Sequence, residues 1–408
     1  WIMKNYTELL KNKNATTQDI KMGYGVVEEL GTACKKLLKD GHIGVVYFED
    51  CKKFAKQAIA ILNQQNYRIT EICYAPCTLA SLDVAQDIIV APEDIRLFVA
   101  VGSGALSDIV RYACFCRKTP YVFVATAPSS WCALMSKVDY VENGQFLSAQ
   151  ALPPTVLIVD YDIVDKASDK FFAAGYGEIF SVKLQLFEQD FARHILASDK
   201  NQKLTLESFK RQAVLNFFEN YSNAKMQIAT LCETLVTIGL VEQLQPSEIA
   251  TNFVVAKLIE NCAIDYVPFG INMFLATVGV MQIYEKILNN KGYLLSLPTN
   301  ILSKTHRFAK TFGVETNLIL SKYKWNDCFE KELFIYEEYR EEFGEYMHIQ
   351  NNLARKNIKQ FRRIFDDVGF WLNDYISAEE VVDCISLASV ACKKSTLLAQ
   401  ADILGLLA

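Results

Sequence analysis

Histidine is scarce in this chain: four residues among 408, at His42, His194, His306 and His348. A metal centre built on clustered imidazoles has little to draw on. Long apolar runs are also missing. The longest, such as residues 278–281, fall far short of the roughly 20 residues a bilayer-spanning helix needs, so no membrane role is expected. Positive charge is not in excess: 42 Lys and Arg face 47 Asp and Glu, a net charge of −5. That excludes the basic footprint of a nucleic-acid-binding domain. No internal repeat or low-complexity tract is present. No N-terminal stretch joins a charged start, an apolar run and a small-residue cleavage site, as a secretory leader would.

What is present is ordinary globular composition, 51% hydrophobic and 22% charged. A chain this long prefers two domains and builds its core without covalent staples. The 12 cysteines sit mostly within apolar or mixed segments. Cys73 with Cys77 and Cys114 with Cys116 are the close pairs, and no second pair with histidines completes a zinc-finger spacing. The thiols read as reduced and buried, which points to a cytoplasmic protein.

Residues 1–168 alternate short apolar runs with helix-like stretches. Strands are expected at 43–48, 68–74, 97–101, 121–125 and 156–159, and helices at 26–38, 54–63 and 82–89. Continuous apolar strands separated by helices indicate a parallel sheet covered on both faces, a Rossmann-like α/β domain. From 169 to 408 the pattern becomes helical throughout. Helices are expected at 171–190, 205–220, 224–241, 249–261, 273–288, 336–343 and 378–408. Ser377, followed by Glu379 and Glu380, starts the last of these with a capping residue and early acidic charge. The second domain is expected to be all-α.

The sharpest local signal is Val101-Gly102-Ser103-Gly104-Ala105, where an apolar strand turns into a helix. Glycines let a backbone approach a phosphate, and the helix N-terminus offers unpaired N–H groups and a positive dipole end. A plain tight turn would read the same way. The next strand ends in Thr126-Ala127-Pro128-Ser129, placing small hydroxyl side chains where open α/β sheets bind ligands. Simple loop capping is the alternative for Thr126 and Ser129. Together the two strand ends suggest a nucleotide cofactor or a small phosphate ligand.

These segments resemble the superfamily that holds sn-glycerol-1-phosphate dehydrogenase, glycerol dehydrogenase, iron-containing alcohol dehydrogenases and 3-dehydroquinate synthase. The resemblance is carried by Gly102-Ser103-Gly104 with Asp108 and Arg111-Tyr112, by Thr126-Ala127-Pro128-Ser129, by Val159-Asp160-Tyr161-Asp162 and by Ala173-Ala174-Gly175-Tyr176-Gly177-Glu178. It spans about residues 20–290. It implies a Rossmann-like domain, a helical domain, and a cleft holding NAD or NADP, a divalent metal and a small polyol or its phosphate. On that mapping Gly102, Ser103, Gly104 and Asp108 match the pyrophosphate loop, and Thr126 and Ser129 the loop facing the cofactor. Asp50, or its neighbour Glu49, falls where an acid accepts from the adenosine ribose.

The sequence departs from the family at the metal. Of one carboxylate and two histidines, the carboxylate position falls on Glu178. The first histidine position falls on Ile249, and the second on Phe269, or on Tyr266 with different gapping. None supplies an imidazole, and Ile249 and Phe269 have no lone pair. A position that commonly holds an acid gripping polyol hydroxyls falls on Trp131, and no aspartate follows until Asp139. A divalent metal is therefore not expected to be held in the family manner. Three functions follow. The first is a divergent NAD(P)-dependent polyol or glycerol-phosphate dehydrogenase with a remodelled site, in which Tyr176, Tyr266, Lys137 or Lys183 serves as the acid. The second is a catalytically silent pseudoenzyme that binds nucleotide or acts structurally, and the third a dehydroquinate synthase-like carbocycle-forming lyase. Oligomeric state is left open by the sequence, a homo-oligomer included.

Overall fold

The computed structural model describes residues 5–76, 82–142, 145–196, 204–220, 228–247, 250–263, 266–289, 301–312, 375–392 and 396–398, with a few positions between 316 and 352. Eight strands are described: β1 (Asp19–Gly23), β2 (His42–Phe48), β3 (Arg68–Tyr74), β4 (Ile95–Gly102), β5 (Tyr121–Ala125), β6 (Lys137–Glu142), β7 (Gln145–Gln150) and β8 (Val156–Asp160). The early helices are α1 (Asn5–Leu9), α2 (Leu30–Leu37), α3 (Lys52–Gln64), α4 (Leu82–Ile89), α5 (Gly104–Arg117) and α6 (Tyr161–Val164). The later ones are α7 (Asp169–Leu196), α8 (Leu204–Asn220), α9 (Ile228–Leu244), α10 (Thr251–Cys262), α11 (Phe269–Asn289), α12 (Ile301–Phe312) and α13 (Ala378–Ala388). No strand follows Asp160 among the described residues. The expected helix at 336–343 and most of 389–408 lie outside the described residues.

Six strands form one parallel sheet in the order β1-β8-β5-β4-β2-β3. The reason is visible in the side chains. Residues of β2 alternate between two apolar layers, Val45 packing among α2 and α3 with Leu30 and Ala55, Val46 among α4 and α5 with Ile88 and Leu106. A strand covered on both faces must be apolar at every position, and β2 is buried throughout. Two elements depart from the expectation. β1 pairs with β8, Asp19 opposite Val156 and Gly23 opposite Asp160. It reads as polar because it is an edge strand with a single buried position. β6 and β7 form an antiparallel hairpin, Lys137 opposite Gln150, in a stretch where the sequence pattern names no element.

The chain divides into two compact units, residues 1–176 with 205–246, and residues 177–204 with 247–408. A single cut after Ser168 does not describe this grouping, because α8 and α9 belong with the sheet. Cys232, Val236 and Leu240 of α9 join the core layer that holds Phe98 and Phe123. In the same unit Lys210 of α8 pairs with Glu242 of α9 at 2.5 Å, both fully buried. In the second unit Glu188 of α7 accepts from the Tyr284 hydroxyl at 2.6 Å and from the Thr251 amide at 3.0 Å. Asn252 donates to the Ser181 carbonyl and to Thr277. These bonds satisfy polar groups that burial would otherwise leave costly.

Candidate functional site

The sheet order places a switch point between β2 and β4: β2 connects outward to β3 on one side, β4 outward to β5 on the other. In open α/β sheets ligands bind outside the carboxyl ends of the strands at such a point. Here β4 ends on Gly102 and α5 begins at Gly104, with Ser103 as N-cap. The Ser103 side chain makes no capping bond, so it does not close the helix end. Neither glycine has positive φ, and their need is spatial. A Cβ on Gly102 would come within 2.6 Å of Leu106, whereas one on Gly104 would meet nothing within 4 Å. Gly104 therefore leaves open space at a helix N-terminus, the arrangement that accepts a phosphate.

The loop after β5 closes on this turn. The Thr126 amide donates to the Gly102 carbonyl at 2.9 Å. The Thr126 hydroxyl lies 3.6 Å from the Cys51 sulfur, whose thiol burial pushes up to about 11. Cys51 follows Asp50 in the turn at the end of β2, so three strand ends meet here. Asp50 is exposed on that turn, as is Glu49. Ser129 is buried and lines a cavity together with Ser103, Gly104 and Trp131. A Cβ on Gly175 of α7 would collide with the Pro128 carbonyl, which fixes this loop against α7.

Asp108 is not presented to that space. Its carboxylate pairs with Arg111 at 2.6 Å, and the buried Arg111 donates to the carbonyls of Cys132 at 2.6 Å and Met135 at 3.0 Å. Asp108 thus orients a guanidinium that holds the loop carrying Trp131. Asp160, also among the motif residues, is buried and structural: it caps α6 through the Asp162 amide at 2.9 Å and accepts from Val27 at 2.9 Å.

The second unit holds Glu178, buried at 1% exposure on α7. A Cβ on Gly177 would collide with the Gly270 carbonyl, so α7 touches the backbone at the start of α11 beside Glu178 and Phe269. Phe269 is the first residue of α11 and stacks edge-on against Phe253 at 5.6 Å. The Lys257 ammonium sits 4.2 Å from the centre of the Phe269 ring and pairs with Glu260 at 3.1 Å. Ile249 lies outside the described residues. Tyr266 is exposed. Among the described residues no three His, Cys, Asp or Glu side chains gather as a metal-holding group.

Of the four residues considered as an acid, Tyr176 is buried against Phe217 and Phe218 at 5.9 and 5.8 Å, an aromatic core position. Lys137 is exposed on β6. Lys183 is mostly buried on α7, and desolvation lowers its ammonium to about 8. Sequence reasoning missed Lys257, Cys51 and Ser107. Ser107 stands four residues after Ser103 on the same helix face, a spacing that could have marked it.

The family described as iron-containing alcohol dehydrogenase matches residues 21–168. A glycerol-1-phosphate dehydrogenase, NAD(P)+, of Methanosarcina barkeri is 28% identical over 194 residues, 46% of this chain and 54% of that protein. The Bacillus licheniformis protein of the same name is 25% identical over 237 residues, 55% of this chain and 58% of that one. The chain thus spans 54% to 58% of the length of these curated relatives. Among solved structures, a probable glycerol dehydrogenase from Sinorhizobium meliloti covers 96% of each chain with a TM-score of 0.56 at 13% identity. NADH-dependent butanol dehydrogenase A from Thermotoga maritima covers 97% of each with the same TM-score and identity. At that identity the likeness is one of fold. No described helix is long and apolar enough to cross a membrane.

Proposed function

We propose, for a chain whose residues 21–168 belong to the iron-containing alcohol dehydrogenase family, that it is a divergent member which binds NAD or NADP but has given up the metal-dependent alcohol chemistry. The sheet-bearing unit is the nucleotide-binding part. Gly102, Ser103 and Gly104 receive the pyrophosphate, Thr126 and Ser129 face the cofactor, and Asp50 takes the adenosine ribose. The open space at Gly104 and the uncommitted Ser103 side chain fit such a ligand. Asp108 acts indirectly, through Arg111. A bound nicotinamide would supply hydride exchange, and the residues around it would orient it.

The metal does not fit as well, and one observation carries that reading: the Lys257 ammonium lies 4.2 Å from the Phe269 ring. Where the family places a second histidine, this chain offers a side chain without a lone pair and a fixed positive charge beside it. A divalent cation there meets repulsion rather than a ligand. Glu178 is then the one of the three family ligand positions that keeps a metal-binding side chain. Loss of the same ligands counts against a dehydroquinate synthase-like lyase. The reading that remains is a nucleotide-binding pseudoenzyme, cytoplasmic and without nucleic-acid or membrane partners.

Two measurements on the unaltered protein test it. Calorimetry with NADH and NADPH is expected to show saturable binding, and elemental analysis less than stoichiometric zinc, iron or nickel. No nucleotide binding at millimolar concentration removes the cofactor reading. Stoichiometric metal bound through Glu178 makes an active dehydrogenase the better one.

A further inference from the structure

Two cysteines on neighbouring helices of the second unit meet near its surface. Cys262 is the last residue of α10, and Cys384 lies within α13, which packs against α10. Both are free thiols, and they are hydrogen-bonded to one another. They differ in exposure. Cys262 is exposed, whereas Cys384 is 3% exposed and shares the buried face of α13 with Ile385, Leu387 and Ala388. The core fixes where Cys384 stands. A Cβ on Gly279 of α11 would come within 2.9 Å of Ile385 and 3.1 Å of Val381, so α13 is seated directly on α11.

The charges around the pair favour an anion on one sulfur. Arg307 of α12 donates to the Asp383 carboxylate through two bonds, at 2.5 and 3.1 Å. That ion pair keeps a guanidinium beside the thiols, where its charge supports a thiolate at Cys262. Asp383 and Glu380 oppose it, as does the negative end of the α10 dipole. The bond donated by Cys384 prevails: it stabilises an anionic Cys262 sulfur, bringing that thiol down to about 7, and keeps the proton on Cys384. An exposed thiolate is the form of cysteine that attacks an oxidant. A second thiol in contact converts the resulting sulfenic acid to a disulfide before it oxidises further.

We propose that Cys262 and Cys384 form a dithiol site oxidised by hydroperoxides, Cys262 attacking and Cys384 resolving. The Cys262 thiolate attacks one peroxide oxygen and the O–O bond breaks. Cys262 becomes a sulfenic acid, and the other oxygen takes a proton from solvent and leaves as water or an alcohol. The Cys384 sulfur then attacks the sulfenic sulfur. An S–S bond forms, the S–O bond breaks, and the hydroxyl departs with the Cys384 proton as water. The two sulfurs are oxidised by two electrons in all, and the peroxide is reduced by two. The product ties α10 to α13 across the segment that contains α11 and α12. The inference is independent of nucleotide binding, and neither cysteine stands at a family metal position.

Hydrogen peroxide and iodoacetamide, applied to the full chain, are the probes. The rate of Cys262 alkylation, followed by peptide mass, is expected to rise with a midpoint near pH 7, against about 8.5 for a free cysteine peptide. Cys384→Ala removes the donor and Arg307→Met the cation, and each is expected to move that midpoint upward. Limited peroxide is expected to consume two thiols and give one linked peptide pair, Cys262 with Cys384, which dithiothreitol reverses. In Cys384→Ala the oxidised Cys262 is instead expected to be trapped by dimedone as a sulfenic acid. If a variant does not fold, the unaltered protein decides through its pH profile and its linked peptide. A Cys262 midpoint no lower than that of the free peptide would overturn the proposal. So would linkage of Cys262 to a different cysteine, or its conversion to sulfinic acid with no linked peptide.

Discussion

Gly104→Asp separates ligand binding from folding at one position. A Cβ at Gly104 meets nothing within 4 Å, and its backbone lies outside the left-handed region, so a side chain fits without strain. Gly104 is also the first residue of α5. An acidic side chain in the first turn stabilises a helix by about 0.3–1 kcal/mol through the dipole and free N–H groups. The variant is expected to melt at the same temperature as the parent or slightly above it. A phosphate seated on that N-terminus would instead meet a carboxylate at about 5 Å. At an effective dielectric constant near 20 that repulsion is about 3 kcal/mol, on the order of a 100-fold loss of affinity. Gly104→Ala tests the steric part alone and is expected to weaken binding less. Gly102→Ala is the contrast: its Cβ would press on Leu106 at 2.6 Å, so it is expected to lower the melting temperature. Calorimetric NADH titration and differential scanning fluorimetry read the two quantities. NADH affinity within about threefold of the parent in Gly104→Asp would refute the assignment of this loop.

Three further expectations follow. Lys210→Met removes the ammonium paired with the buried Glu242 and is expected to lower unfolding stability by about 3–5 kcal/mol in urea titrations, with Lys210→Met/Glu242→Leu recovering most of it. Burial raises the Glu188 carboxyl above its ordinary value. Its contribution is therefore complete below the unfolded carboxyl value and declines as pH rises through the folded one; Glu188→Gln should flatten that part of the pH–stability curve, and an unchanged slope counts against the assignment. Ile249→His with Phe269→His and Lys257→Leu supplies imidazoles at the two positions that the family resemblance pairs with Glu178 and removes the ammonium, so zinc affinity by competition with a chelating dye is expected to rise; Ile249→His with Phe269→His alone should gain less, because Lys257 remains.

The sheet was legible because the covered stretch of a strand must be apolar, and residues 43–48, 97–101, 121–125 and 156–159 are. Where that condition lapses, so does legibility: β1 is an edge strand with one buried position, and the β6–β7 hairpin is half polar. The helices after Asp169 were readable individually, but not their grouping, since α8 and α9 pack with the sheet through contacts distant in sequence. The strand-to-helix turn at Gly102–Gly104 was readable because glycine has few uses at such a place. The partner of Asp108 was not legible, because charge at a motif position says nothing of which way it points, and here it meets Arg111. Phe269 could be read as standing where the resemblance implies a histidine, whereas Lys257 arrives from another helix and no local pattern announces it.

Arg111 has a consequence for how the loop from Ser129 to Ser136 stays ordered. That stretch has neither proline nor glycine to restrict or shape it. Its own amides make local bonds, Leu134 to the Trp131 carbonyl, Met135 to the Cys132 carbonyl and Cys132 to the Ser130 hydroxyl. Each freed residue would regain about 1–2 kcal/mol of chain entropy, and the guanidinium holds two of the carbonyls against that release. In Arg111→Leu the amides of residues 132–135 should exchange with deuterium much faster than in the parent while those of β4 and β5 stay protected. Equal protection in both would mean that the bonds from Gln243 to the Leu134 carbonyl and from the Ala151 amide to the Ser136 carbonyl, with the buried side chains of Trp131 and Leu134, keep the loop in place without the guanidinium.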